Sequence, residues 1–147
     1  MITLPRTIAV LALLAVAPLS LSAEREVEMV EEVLVVLSSA SPLTQGMAMM
    51  LSTAMLERGA RVNVLLCDQA GELALKSYDG EALKPKEATP GQLLRGLLSQ
   101  GASVNVCGLY LPNSGRDRDE LFEGVGIALP PEVSKQMLDS QVRSFTF

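Results

Sequence analysis

The chain contains no histidine and no tryptophan, and only two cysteines in 147 residues. Without histidine, Ser-His-Asp hydrolysis and histidine-based zinc sites are excluded. Positive charge is scarce: 12 Lys and Arg stand against 17 Asp and Glu, a formal net charge of −5. That acidity opposes binding to nucleic acid or to an anionic membrane surface. The glycines fall in no phosphate-loop pattern, which removes the usual kinase signature. No internal repeat, heptad, long linker or low-complexity stretch interrupts the chain. What remains to do chemistry is a pair of thiols.

The N-terminus reads as an address. Arg6 supplies a short positive region, Ile8 to Ala17 are uniformly apolar, Pro18 breaks the run, and small residues follow at Ser20, Ser22 and Ala23. A membrane-crossing helix needs about 20 apolar residues, so this run fits a cleavable signal peptide better than a transmembrane span. Residues 1–23 are therefore expected to be a leader, with cleavage after Ala23 or, in competition, after Ser22. An uncleaved anchor is the alternative. The apolar run ends without a cysteine, which argues against a lipoprotein. A mature chain of residues 24–147 would keep eleven basic and all 17 acidic residues, a formal charge of −6, in a periplasmic or secreted setting without membrane attachment.

Beyond the leader, strand and helix patterns alternate. Glu31 to Leu37 is a near-continuous apolar run of the kind a buried parallel strand requires. Ser41 and Pro42 are a helix-opening pair, and Leu43, Met47, Met50, Leu51, Ala54 and Met55 recur at helical spacing with Gly59 as the stop. Arg61 to Cys67 forms a second strand. Glu72 to Lys76 suggests a short helix and Ser77 to Lys86 a loop. Thr89-Pro90-Gly91-Gln92 is a capping box that opens a helix through Leu93, Leu94, Leu97 and Leu98. Ser103 to Leu111 is a third strand broken at Gly108, followed by a turn-rich loop, Pro112 to Arg116. Asp117 to Glu123 is a short capped helix, Val125 to Leu129 a fourth strand, Pro131 to Leu138 a helix, and Gln141 to Phe147 a closing strand. This order predicts a single α/β domain: a three-layer α/β/α sandwich around a mainly parallel sheet of about five strands, flavodoxin-like.

Ligands of open parallel sheets gather beyond the carboxyl ends of the strands. Cys67 and Cys107 both sit at such ends. Cys107 is the better nucleophile candidate, because Gly108 lets another molecule approach the backbone and Arg116 and Arg118 can stabilise a thiolate if the loop folds back. Cys67 precedes Asp68, whose carboxylate raises a thiol's pKa. Each cysteine also has a bland alternative, a small buried apolar residue. A third alternative is a Cys67–Cys107 disulfide: neighbouring strands hold Cα atoms about 5 Å apart, inside the disulfide window, and such a loop closure adds ~3–4 kcal/mol. The serine-rich turn Ser38 to Ser41 is read as an ordinary strand-to-helix turn. Met47, Met49, Met50 and Met55 are read as core packing rather than as copper ligands. The acidic cluster at Asp117, Asp119, Glu120 and Glu123 is read as a solvated surface. No metal and no cofactor is expected.

Residues 103–125, SVNVCGLYLPNSGRDRDELFEGV, resemble the DsrE-like (DsrE/DsrF-like) family, and EVLVVLSS, ERGARVNV and VRSFTF match that family's layout. The resemblance covers essentially the whole of residues 24–147. It implies a homo-oligomeric α/β domain in sulfur relay, with Cys107 carrying sulfur as a persulfide and exchanging it with a donor or acceptor protein. The chain departs from better-known members in its leader, since those work in the cytoplasm, and in Pro112-Asn113-Ser114 after the cysteine. The leading expectation is an exported sulfur carrier, a possible sulfurtransferase, acting through Cys107. The alternative is a non-enzymatic binding or oligomeric module held by a structural Cys67–Cys107 disulfide.

Overall fold

Five short segments of the chain become five parallel strands, the first three of them apolar runs. The computed structural model describes residues 29–147; the leader expected at residues 1–23 lies outside them. Strand β1 (Glu32–Leu37) feeds helix α1 (Pro42–Glu57), then β2 (Arg61–Leu66), a 3-10 segment (Asp68–Ala74), α2 (Pro90–Ser99) and β3 (Ser103–Cys107). A one-turn helix α3 (Tyr110–Ser114), a 3-10 turn (Arg118–Glu120), β4 (Gly126–Ala128), α4 (Pro130–Leu138) and β5 (Val142–Thr146) complete it. The strand order is β4-β3-β2-β1-β5, with every neighbouring pair parallel. Among the described residues, no helix is long and apolar enough to cross a membrane.

Right-handed crossovers decide which face each helix covers. The chain steps one way from β1 to β4, so α1 and α2 lie on the same face. There Val33, Val35, Leu37, Val62, Val64, Leu66, Val104 and Val106 form the core with Met49, Leu94 and Leu97. Each fully buried aliphatic side chain of this kind contributes about 1.5–3 kcal/mol. From β4 the chain jumps back to β5, which carries α4 to the other face. That outer layer is thin: none of the α4 side chains is buried.

The helix starts follow their local signals. Ser41 caps α1 through its hydroxyl, which accepts from the Thr44 amide. Thr89 and Gln92 form both halves of a capping box on α2, with Gln92 Oε1 accepting from Thr89 N at 2.8 Å. The face that α1 buries differs from the expected stripe. Gln45, Gly46, Ala48, Met49 and Ser52 are buried, whereas Leu43, Met47, Met50 and Leu51 are 74%, 53%, 41% and 43% exposed. The inward face combines small residues with Met49 and Gln45, and at one position a close neighbour leaves no room for any side chain. A Cβ on Gly46 would overlap the Leu83 side chain. Gln45 is accommodated there by donating from Nε2 to Ser39 O at 2.8 Å.

The segment after Cys107 also differs. Leu109 to Leu111 do not continue the strand; the chain turns into α3, which ends at Gly115 with φ +68°. Pro112 sits at the third position of this helix, where the amide has no intrahelical partner to lose. The expected helix over Asp117 to Glu123 shrinks to the 3-10 turn Arg118–Glu120, because the backbone there is taken up elsewhere. Phe122 N donates to Ala74 O at 2.9 Å and Lys76 N to Glu120 O at 2.8 Å, while Leu75 and Leu121 form an antiparallel bridge. These contacts tie residues 120–122 across the end of the first 3-10 segment. Arg95 on α2 lies 4.3 Å above the Phe122 ring and secures the same loop.

Candidate functional site

Register brings the two cysteines together. Leu66 pairs with Val106 across β2 and β3, so the next residues, Cys67 and Cys107, stand opposite one another. Both follow a core-facing neighbour, and side chains alternate along a strand. Both therefore point to the face away from α1 and α2. Cys67 keeps extended backbone, φ −120° and ψ 159°, before the chain turns. Asp68 makes that turn at φ +50°, a left-handed conformation that Asp tolerates better than most residues.

Both cysteines are free thiols and half-buried. The Cys67 thiol is pushed up to about 11, first by burial, then by negative charge on Cys107 and hydrogen bonding to it, and last by the Asp68 carboxylate. Asp68 thus acts in the direction expected from sequence, but as the smallest contributor. Cys67 consequently holds its proton through the neutral range.

Cys107 opens onto a cleft of about 600 Å³ lined also by Asp68, Gln69, Glu72, Leu109, Tyr110, Asn113, Ser114 and Arg116. The cleft lies beyond the carboxyl ends of the strands. It is close to the point where the chain connections part, since β3 feeds the α1–α2 side and β4 feeds α4. Such switch points are where open α/β sheets bind ligands. Tyr110 walls the cleft because its ring lies directly on Gly71, where any Cβ would overlap the ring carbons. Burial and then Glu72's charge raise the Tyr110 phenol, so it stays a neutral hydroxyl.

Of the two arginines expected near the thiolate, the structure brings one to the cleft. Arg116 lines it, with Nη1 donating to Glu120 Oε2 at 3.0 Å. Glu120 is held below its ordinary value, chiefly by the Asp117 amide; burial opposes this, and Arg116 adds to the lowering. Arg118 lines a separate depression with Lys76, Asp119 and Phe122. Gly108 has a structural role that differs from the expected one. Its amide donates to Ala128 O at 2.9 Å, and an added Cβ would come within 3.0 Å of that oxygen. The missing side chain makes room for the end of β4, not for a ligand.

Sequence reasoning did not single out Glu72, Tyr110, Asn113 and Ser114. Tyr110, Asn113 and Ser114 reach the cleft on helix α3, and Glu72 reaches it on the 3-10 segment. The Ser38 to Ser41 turn is occupied internally: Ser38 N donates to Phe147 O at 2.9 Å and Ser41 N to Ser39 Oγ at 3.1 Å. Among the methionines of α1, Met49 is core and Met55 packs against it, while Met47 and Met50 face outward. Among the described residues, no group of three His, Cys, Asp or Glu side chains is arranged to hold a metal ion.

No protein-family model matches the chain, and no curated protein matches it. Solved structures do. The ychN protein of E. coli is 21% identical with a TM-score of 0.67, over 81% of this chain and 100% of its own. MTH1491 of Methanobacterium thermoautotrophicum, a protein of unknown function, is 13% identical with a TM-score of 0.65, over 79% of this chain and 98% of its own. At these identities the likeness establishes the fold, a five-stranded parallel sheet with helices. What the site does must be argued from its own residues.

Proposed function

We propose that the protein is an exported sulfur carrier that takes sulfane sulfur onto Cys107. The observation that carries this is the opening of Cys107 onto a cleft at the carboxyl end of the sheet, with Arg116 on its wall. In the loading step, the Cys107 thiolate attacks the outer sulfur of a donor persulfide. A new sulfur–sulfur bond forms on Cys107, the donor's S–S bond breaks, and the donor leaves as a thiol. The chain's part is to present a nucleophile in a cleft wide enough for a donor side chain, with the Arg116 guanidinium on the cleft wall. Cys67, still protonated, offers an S–H donor to sulfur held beside it. The donor and the acceptor are expected to be protein thiols. Export rests on the sequence pattern of residues 1–23.

One experiment reads both parts. Protein recovered from the periplasm should have an intact mass lacking residues 1–23. After reduction and exposure to inorganic polysulfide, it should gain one or more sulfur atoms that a reductant removes. Cys107→Ser should abolish the gain. An equal gain in Cys107→Ser would eliminate the carrier role, and an undiminished chain mass would eliminate the cleaved leader.

The adjacency of Cys67 and Cys107 also favours a second reading, a binding module with a structural disulfide between them. It differs in one observable: its thiols would be blocked in native protein and resistant to mild reductant.

A further inference from the structure

We propose that Cys67 is the resolving thiol of this site: it attacks sulfur loaded on Cys107, discharges it as sulfide, and leaves a Cys67–Cys107 disulfide. The inference rests on the sulfur-carrier reading above and specifies how the carried sulfur leaves in the absence of an acceptor protein.

Three observations place Cys67 for this step. The register continues from Leu66 and Val106 to the two cysteines, which share one face of adjacent strands. Neighbouring strands set Cα atoms about 5 Å apart, a separation a disulfide spans without backbone movement. Finally, the two residues are unequal. Cys107 lines the cleft, whereas Cys67 is not among its lining residues and stands opposite Cys107 on the adjacent strand. A donor therefore reaches Cys107, and the sulfur it delivers extends into the cleft. The atom within reach of Cys67 is the inner sulfur, the Sγ of Cys107 itself.

Attack on the inner sulfur determines the product. Cys67 Sγ bonds to Cys107 Sγ, the bond between Cys107 Sγ and the outer sulfur breaks, and its electron pair leaves with the outer atom. That atom takes the proton from Cys67 and departs as hydrogen sulfide. One persulfide and one thiol become one disulfide and one sulfide, with no external oxidant. A dithiol reductant returns the pair to two thiols for another cycle.

The test uses the full mature chain, reduced and handled without oxygen, loaded briefly with inorganic polysulfide and then freed of excess reagent. Wild type should lose the added sulfur with time, release one equivalent of sulfide, and finish two hydrogens lighter than the reduced protein. Peptide mapping should find Cys67 linked to Cys107 in the amount of sulfide released, a result that needs no variant. Cys67→Ser should load equally and keep its sulfur. If wild type and Cys67→Ser load alike and both retain the sulfur, or both release it alike without a cross-link, the resolving role is overturned and the carrier role stands. If neither protein loads, the carrier role itself falls.

Discussion

At the scale of single residues, the raised Cys67 thiol has a consequence for stability. An unperturbed thiol ionises near 9.0, and Cys67 in the folded protein does so near 11. Between these values the unfolded chain loses a proton that the folded protein retains, so the unfolded state gains. The full stability is present below pH 9 and declines as pH rises toward 11. Allowing for solvent screening of a half-exposed group, the decline is on the order of 1 kcal/mol. Urea unfolding at pH 8 and at pH 11 should show it, and Cys67→Ala should lose that part of the difference while other groups titrate as before. An identical pH dependence in the variant would remove the proposed environment of Cys67. Cys107→Ser should also shrink the effect, because negative charge on Cys107 and hydrogen bonding to it rank next after burial in raising the Cys67 thiol.

Among the elements, α1 carries the clearest unspent surface. Its inner face is made of Gly46, Ala48, Met49 and Ser52, and its outer face presents Leu43, Met47, Met50 and Leu51 to solvent. These four side chains form an apolar stripe on the surface helix. We propose that copies of the chain associate through it. Light scattering on the purified protein should give a multiple of the chain mass, and Met47→Glu with Leu51→Glu should reduce it toward a single chain. A wild type that is monomeric at high concentration would contradict this. Most element positions were legible in the sequence where the signal is local: the apolar run of β1, Ser41 with Pro42, and the Thr89–Gln92 box each act within a few residues. The orientation of α1 was not legible, because hydrophobic spacing marks a stripe without saying what covers it. Here Leu83 lies against α1 at Gly46 and requires the glycine there. Helix α3 was missed for a related reason. Its stability comes from Tyr110 packing on Gly71, a contact 39 positions away that no periodicity within 109–116 announces.

In the molecule as a whole, the parallel sheet brings its two cysteines to its carboxyl end and to one face, beside the place where its connections diverge. Their strand-end positions were legible, since RVNVLLC and SVNVC both end an apolar run. Their mutual contact depended on β2 and β3 being neighbours in matched register, which is a property of the whole sheet. The cleft beyond Cys107 was less legible still, being walled by residues from the 3-10 segment and α3 that meet only after folding. The most direct test of the central claim, that Cys107 is the thiol the cleft exposes, is the alkylation rate of each cysteine in the native, reduced protein at neutral pH, followed by peptide mass spectrometry. Cys107 should label first, with Cys67 protected until the protein is unfolded. Faster labelling of Cys67, or equal protection of both thiols in the folded state, would contradict it.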